Sequence, residues 1–144
     1  MIRKILVPLD GSNLSERALY TAIEVLKGNE TSTIVALQVL ALSEKSHLLE
    51  SRDFKRAKAE ELRLANLYLD SLKEELDLSH THLETRAVAV HDDIAQTIVD
   101  QAKLENVDLI ALTSHGRSGL NKLLFGSVAE KVVRLSPVSV LIAR

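Results

Sequence analysis

Short apolar runs alternate with segments of helical period along most of this chain. Ile5-Leu6-Val7-Pro8-Leu9 reads as a buried strand, after which Ser12 or Asn13 offers a helix N-cap. Ala18, Ala22 and Val25 form a helical stripe that Gly28 can end in the left-handed conformation. Thr33 to Leu40 is a second strand, followed by a long helix with Leu62, Ala65, Leu69, Leu72 and Leu76 along one face. Thr81 to Val90 alternates as a third strand, and Ile94, Ile98 and Ala102 mark a third helix. Val107 to Leu112 gives a fourth strand. The last helix starts at Ser127 and stops before Pro137, and Val138 to Ile142 forms a fifth strand. The least regular stretch is Ala41 to Leu49. The order βαβαβαβαβ, with strands apolar along their length, predicts a doubly wound parallel sheet covered by helices on both faces.

Composition narrows the class. At 144 residues the chain suits a single domain, 1–144, with a sizeable core. Its 46% hydrophobic and 26% charged residues exclude a disordered or fibrous chain. A net charge of -2 gives no reason to expect nucleic acid or an anionic membrane as partner. There is no cysteine, so disulfide and thiolate chemistry are excluded. The N-terminus lacks a signal-peptide pattern, and no apolar run approaches the ~20 residues of a membrane span. The expected compartment is the cytoplasm.

Two glycine-bearing loops carry the candidate chemistry. Thr113-Ser114-His115-Gly116-Arg117-Ser118-Gly119 leaves the fourth strand, and Gly126-Ser127 opens the last helix. Glycine lets backbone approach a ligand closely, and a helix N-terminus offers N–H groups to an anion. Together they predict a phosphate cradle. Asp10-Gly11-Ser12 follows the first strand; in open α/β sheets such loops face one crevice where the strand order reverses. Asp10 there suits a ribose hydroxyl or a metal, or serves simply as a turn and cap. Ser127 and Glu130 have capping-box spacing, a structural role compatible with binding phosphate. Arg117 and Lys122 are either phosphate contacts or solvated cations. His115 has no identifiable catalytic partner and is expected to order its loop.

Other motifs are weak. Neither a Gly-x-x-x-x-Gly-Lys-Ser/Thr loop nor a Gly-x-Gly-x-x-Gly fingerprint is present. His80 and His82 lack a third ligand at metal spacing and read as a solvated strand edge. Lys55-Arg56-Ala57-Lys58 has no aromatic neighbours to support nucleic-acid binding.

Ile5 to Ser12, Ser114 to Gly119, Gly126 to Glu130 and Pro137 to Ile142, in this order and spacing, resemble the universal stress protein family. The resemblance covers the whole chain. It implies a sheet of order 3-2-1-4-5, an adenine nucleotide between the first and fourth strands, and dimers joined through the last strand, Val138 to Ile142. ATP-binding members share Gly, two residues, Gly, nine residues, then Gly-Ser or Gly-Thr. Here the second glycine is Gly116 and the final pair Gly126-Ser127, but the first glycine falls on Thr113. His91-Asp92-Asp93 also departs from the family's glycine-containing turn, though carboxylates suit a helix start. By the resemblance Pro8, Asp10, Val39, Leu112, Thr113, Gly116, Gly126, Ser127 and Val128 line the site, and Arg117 joins them by its charge. Asp10 would meet the ribose and the Val39 backbone the base, while Gly116, Gly126, Ser127 and Val128 would hold phosphates. Asp10 and Ser127 could share a magnesium ion. The expected function is ATP binding by a dimeric cytoplasmic stress-response module. The alternatives are a nucleotide-free interaction module, favoured by Thr113, and a slow regulatory ATPase.

Overall fold

The computed structural model describes residues 1–42, 52–90, 93–115 and 125–144. Along the chain it forms β1 (Lys4–Leu9), α1 (Asn13–Leu26), β2 (Ser32–Ala41), α2 (Arg52–Glu75), β3 (Thr81–Val90), α3 (Ile94–Leu104), β4 (Leu109–Thr113), α4 (Ser127–Leu135) and β5 (Ser139–Ala143). The strands make one parallel sheet in the order β3-β2-β1-β4-β5. The chain runs outward through β2 and β3, then returns to the far side of β1 for β4 and β5. The order therefore reverses between β1 and β4.

Strand alternation divides the core in two. Ile5, Val7 and Leu9 of β1, with Ile34 and Ala36 of β2, pack against Ala18, Leu19, Ala22 and Leu26 of α1 and Leu69 and Leu72 of α2. Leu6, Val35, Leu37, Ile110 and Leu112 face the other way, onto Ala95, Ile98 and Ala102 of α3 and Ala129 and Val132 of α4. Successive side chains of a strand point to opposite faces, so each central strand serves both layers. Full burial of each large aliphatic side chain contributes about 1.5–3 kcal/mol.

Several boundaries differ from the sequence pattern. Val25 is 41% exposed, and Leu26 takes its place in the core stripe. The buried face of α1 runs through Ser15, Ala18, Leu19, Ala22 and Leu26, which puts Val25 on its margin. β4 begins at Leu109, two residues later than the apolar run. Val107 is buried as the residue that closes α3: its N–H donates to Ala102 O (3.2 Å), while Asn106, at φ +50°, donates to Lys103 O (3.1 Å). This is the paired hydrogen-bond pattern that ends many helices. β5 starts at Ser139 because Val138 is held in a turn, its N–H on Ser136 Oγ at 3.2 Å. Gly28 adopts φ +85° after α1, as its position predicts.

Candidate functional site

β1 and β4 pair only at Ile5–Leu109 and Leu6–Ile110, whereas β1 follows β2 as far as Leu9–Gln38. The two central strands therefore part company halfway along. Pro8, which has no N–H to give a ladder, falls in the portion of β1 that has left β4. A cavity of about 310 Å³ opens where they separate. Pockets that hold small molecules span about 300–1,000 Å³.

The β1 side of the cavity is built by a compact turn. Asp10 Oδ1 accepts from Ser12 N (2.9 Å) and Ser12 Oγ (2.5 Å), and Ser12 Oγ in turn caps α1 by accepting from Ser15 N at 3.2 Å. Gly11 sits at φ +81°, where a side chain would be strained. Ser15 Oγ accepts from Asp10 N at 3.3 Å and donates to Ser12 O at 2.8 Å. Asp10 is thus a turn residue, and it also lines the cavity. The Tyr68 hydroxyl, from α2, donates to Glu16 Oε1 at 2.9 Å. Burial first, and then the Glu16 carboxylate, push its phenol well above the usual tyrosine range.

On the β4 side, Thr113 Oγ1 donates to His115 O (2.9 Å), and Ser114 Oγ and His115 Nδ1 share a hydrogen bond at 3.0 Å. His115 thus bonds to the two residues that precede it. Gly126 N donates to Ser114 O at 2.7 Å, closing the two ends of the loop on each other. A Cβ on Gly126 would stand 3.2 Å from that same oxygen, which accounts for glycine there. Gly126 is itself the N-cap of α4, with extended backbone and no side-chain cap bond. This corrects the expected capping box. Ser127 is the first helical residue, so Glu130 lies one position too far along, and its N–H donates to Gly126 O at 2.9 Å. The first N–H groups of α4 have no acceptor within their own helix, and Gly126, Ser127, Val128 and Ala129 line the cavity.

Pro8, Asp10, Val39, Leu112, Thr113, Gly126, Ser127 and Val128 are brought together on this one cavity. Gly116 and Arg117, expected at its phosphate end, lie outside the described residues, as do Lys122, His91 and Asp92. Sequence reasoning did not single out Ser15, Ile94, Ile98 or Ser114 as lining. Ile94 and Ile98 were legible only as a helical core stripe, which they also are. Asp93 caps α3, accepting from Ala95 N (3.1 Å) and Gln96 N (3.2 Å), and its other oxygen pairs with Lys131. That carboxylate is neutralised instead of facing the cavity as free charge. His80 and His82 are both exposed.

The sheet order and the cavity at its reversal define a doubly wound α/β protein with a ligand-sized crevice at its switch point. The sequence profile of the universal stress protein family matches residues 1–144, and the chain belongs to that family. It is 30% identical to the universal stress protein YxiE of Bacillus subtilis, over all of both chains. It is also 30% identical to the universal stress protein MJ0577 of Methanocaldococcus jannaschii, covering all of this chain and 96% of that one. The solved structure of MJ0577 superposes with a TM-score of 0.84 at 28% identity, over 99% of this chain and 96% of the other. More distant structures share the fold. One is a universal stress protein in complex with cAMP (TM-score 0.66, 22% identity, covering 99% of this chain and 97% of that one). Another is an Arabidopsis thaliana member with AMP bound (TM-score 0.62, 18% identity, covering 98% and 90%).

Proposed function

We propose that this chain binds an adenine nucleotide, ATP in the first instance, in the crevice between β1 and β4, and that occupancy of this site is its signal in a stress response. The observation that carries the reading is the division of the cavity wall. Val39, Ile94, Ile98 and Leu112 form an apolar side suited to a base. Asp10 stands beside them as an acceptor for ribose hydroxyls. At the other end, the bare backbone of Gly126 and the start of α4 offer N–H groups to phosphate. Nucleotides in the cAMP and AMP complexes of relatives support the same class of ligand. A magnesium ion carried with the phosphates would meet Asp10 and Ser127, which both line the cavity.

Thr113 supports the competing reading of a nucleotide-free module. It is only 9% exposed, and its hydroxyl proton is committed to His115 O, so its best contact with a phosphate is already spent. Its methyl group remains as bulk where ATP-binding relatives carry glycine. We propose that this weakens binding without abolishing it. Hydrolysis, where it occurs, is slow and regulatory.

The proposed assembly is a homodimer through β5, in the cytoplasm. β5 pairs with β4 along Ser139 to Ala143 and stands at the end of the sheet order, so its outer edge is available to a second copy. Calorimetric titration with ATP tests the binding reading. Saturable heat with one site per chain is expected, and its loss in Asp10→Ala ties the ligand to this crevice. Heat that survives unchanged in Asp10→Ala contradicts that placement.

A further inference from the structure

A second cleft, of about 660 Å³, lies on the opposite side of β2 from the crevice, between the end of that strand and α2. Its wall is rich in acceptors. Asp10 and Glu61 contribute carboxylates, and the Tyr68 hydroxyl, whose hydrogen is directed to Glu16 Oε1, keeps its oxygen lone pairs as acceptors. No lysine or arginine is among the described residues that line it.

Gln38 is the independent sign of a missing ligand. Alternation along β2 turns Ile34 and Ala36 towards α1 and α2, and Gln38 follows them onto that face and lines the cleft. It is 8% exposed, and its amide oxygen is buried with no hydrogen-bond partner. Such an orphan carries a desolvation penalty that no hydrogen bond offsets. The terminal torsion of glutamine is soft and roughly two-fold, so a small turn presents that oxygen to the cleft.

The chemistry of the ligand follows from the wall. Among the described residues no three His, Asp or Glu side chains are grouped closely enough to hold a metal ion. The acceptors are instead spread around an apolar floor of Leu64 and Ala65. Separated donors joined by hydrocarbon fit that surface better than a compact cation. We propose that the cleft binds an aliphatic ammonium ion, with charged nitrogens against Asp10 and Glu61 and the Gln38 amide oxygen accepting a further N–H. Asp10 and Val39 line both cavities, so such a cation would lie beside any nucleotide in the crevice.

The test uses the whole chain without nucleotide, so it stands apart from the ATP reading. Proton–nitrogen NMR spectra are recorded while 1,4-diaminobutane is added at pH 7, and again with 1,4-butanediol, its neutral counterpart of similar length. The diamine should shift the Gln38 side-chain amide and the Ala65 N–H saturably, and the diol should not. Gln38→Met removes the orphaned amide oxygen at similar side-chain length, so the fold is retained, and it should weaken the diamine about tenfold or more. Glu61→Gln, an exposed change on α2, should weaken it about threefold. An equal response to the diol, or undiminished affinity in either variant, overturns the proposal.

Discussion

Thr113 and Gly126 face the same cavity and constrain it in opposite senses. Thr113 adds a methyl group to the wall while its hydroxyl fixes the His115 carbonyl at 2.9 Å. Thr113→Ser keeps that bond and deletes the methyl. ATP affinity should rise about three- to tenfold, since relief of overpacking of this size is worth about 1 kcal/mol. Thr113→Gly opens more room but releases the loop, and the net result should still be tighter than wild type. Calorimetric titration of both variants checks this, and unchanged affinity in both removes Thr113 as the source of weak binding. Gly126→Ala should have the contrary effect. Its Cβ would sit 3.2 Å from Ser114 O, so the loop closure must give, and ATP affinity should fall about tenfold while the thermal midpoint drops by only a few degrees. Gly126 was legible in the sequence because glycine in a strand-to-helix loop has a specific backbone reason. The commitment of the Thr113 hydroxyl was not, because a threonine side chain has several rotamers and only the folded loop selects one.

The elements were legible where period and punctuation agree. β3 runs from Thr81 to Val90 as its alternation predicts, and α4 starts at Ser127. The capping box failed because Gly126, extended and bonded to Ser114 O, begins the helix one residue early; spacing cannot reveal such a long-range closure. The true start of β4 was hidden for a similar reason. Asp108 is a clip between elements distant in sequence: Oδ2 accepts from Arg3 N (2.8 Å) and Lys4 N (2.9 Å), and its own N–H donates to Lys4 O (2.8 Å). The Arg3 and Lys4 N–H groups hold its carboxyl below the ordinary aspartate value. Glu105 is likewise held low, first by its hydrogen bond from Lys4 (2.9 Å) and then by Arg86. A carboxylate whose folded value is depressed stabilises the protein above its unfolded value, and that contribution is lost as pH falls through the folded value. Urea midpoints should therefore hold steady near neutrality and decline once the pH drops below about 4. In Asp108→Asn the midpoint should be lower at pH 7 and its acid dependence shallower. An unaltered slope would show that the clip carries no charge-dependent stability.

At the scale of the whole molecule, the sheet order decides where chemistry can occur. Reversal between β1 and β4 leaves their carboxyl ends unpaired with each other beyond Leu6 and Ile110, and the crevice is a consequence of that topology more than of any one side chain. The alternating elements made a doubly wound parallel sheet legible in advance, the resemblance to the universal stress proteins supplied its order, and the two glycine loops pointed to the crevice. The apolar half of the wall was hidden, since Ile94 and Ile98 fill a core stripe and face the crevice at once. The same order puts β5 at a sheet edge, and sedimentation equilibrium at tens of micromolar should give twice the chain mass; a single-chain mass would remove the dimer. The central claim is that this crevice holds an adenine nucleotide. It is tested most directly by denaturing the freshly purified protein and chromatographing the supernatant against a buffer control. With no tryptophan and only Tyr20 and Tyr68 as tyrosines, a raised 260 to 280 nm absorbance ratio of the intact protein would give early warning. Release of ATP or ADP, at less than one per chain because Thr113 weakens the site, is the predicted result. A supernatant free of adenine nucleotide, together with no saturable heat on titrating ATP into the protein, would contradict it.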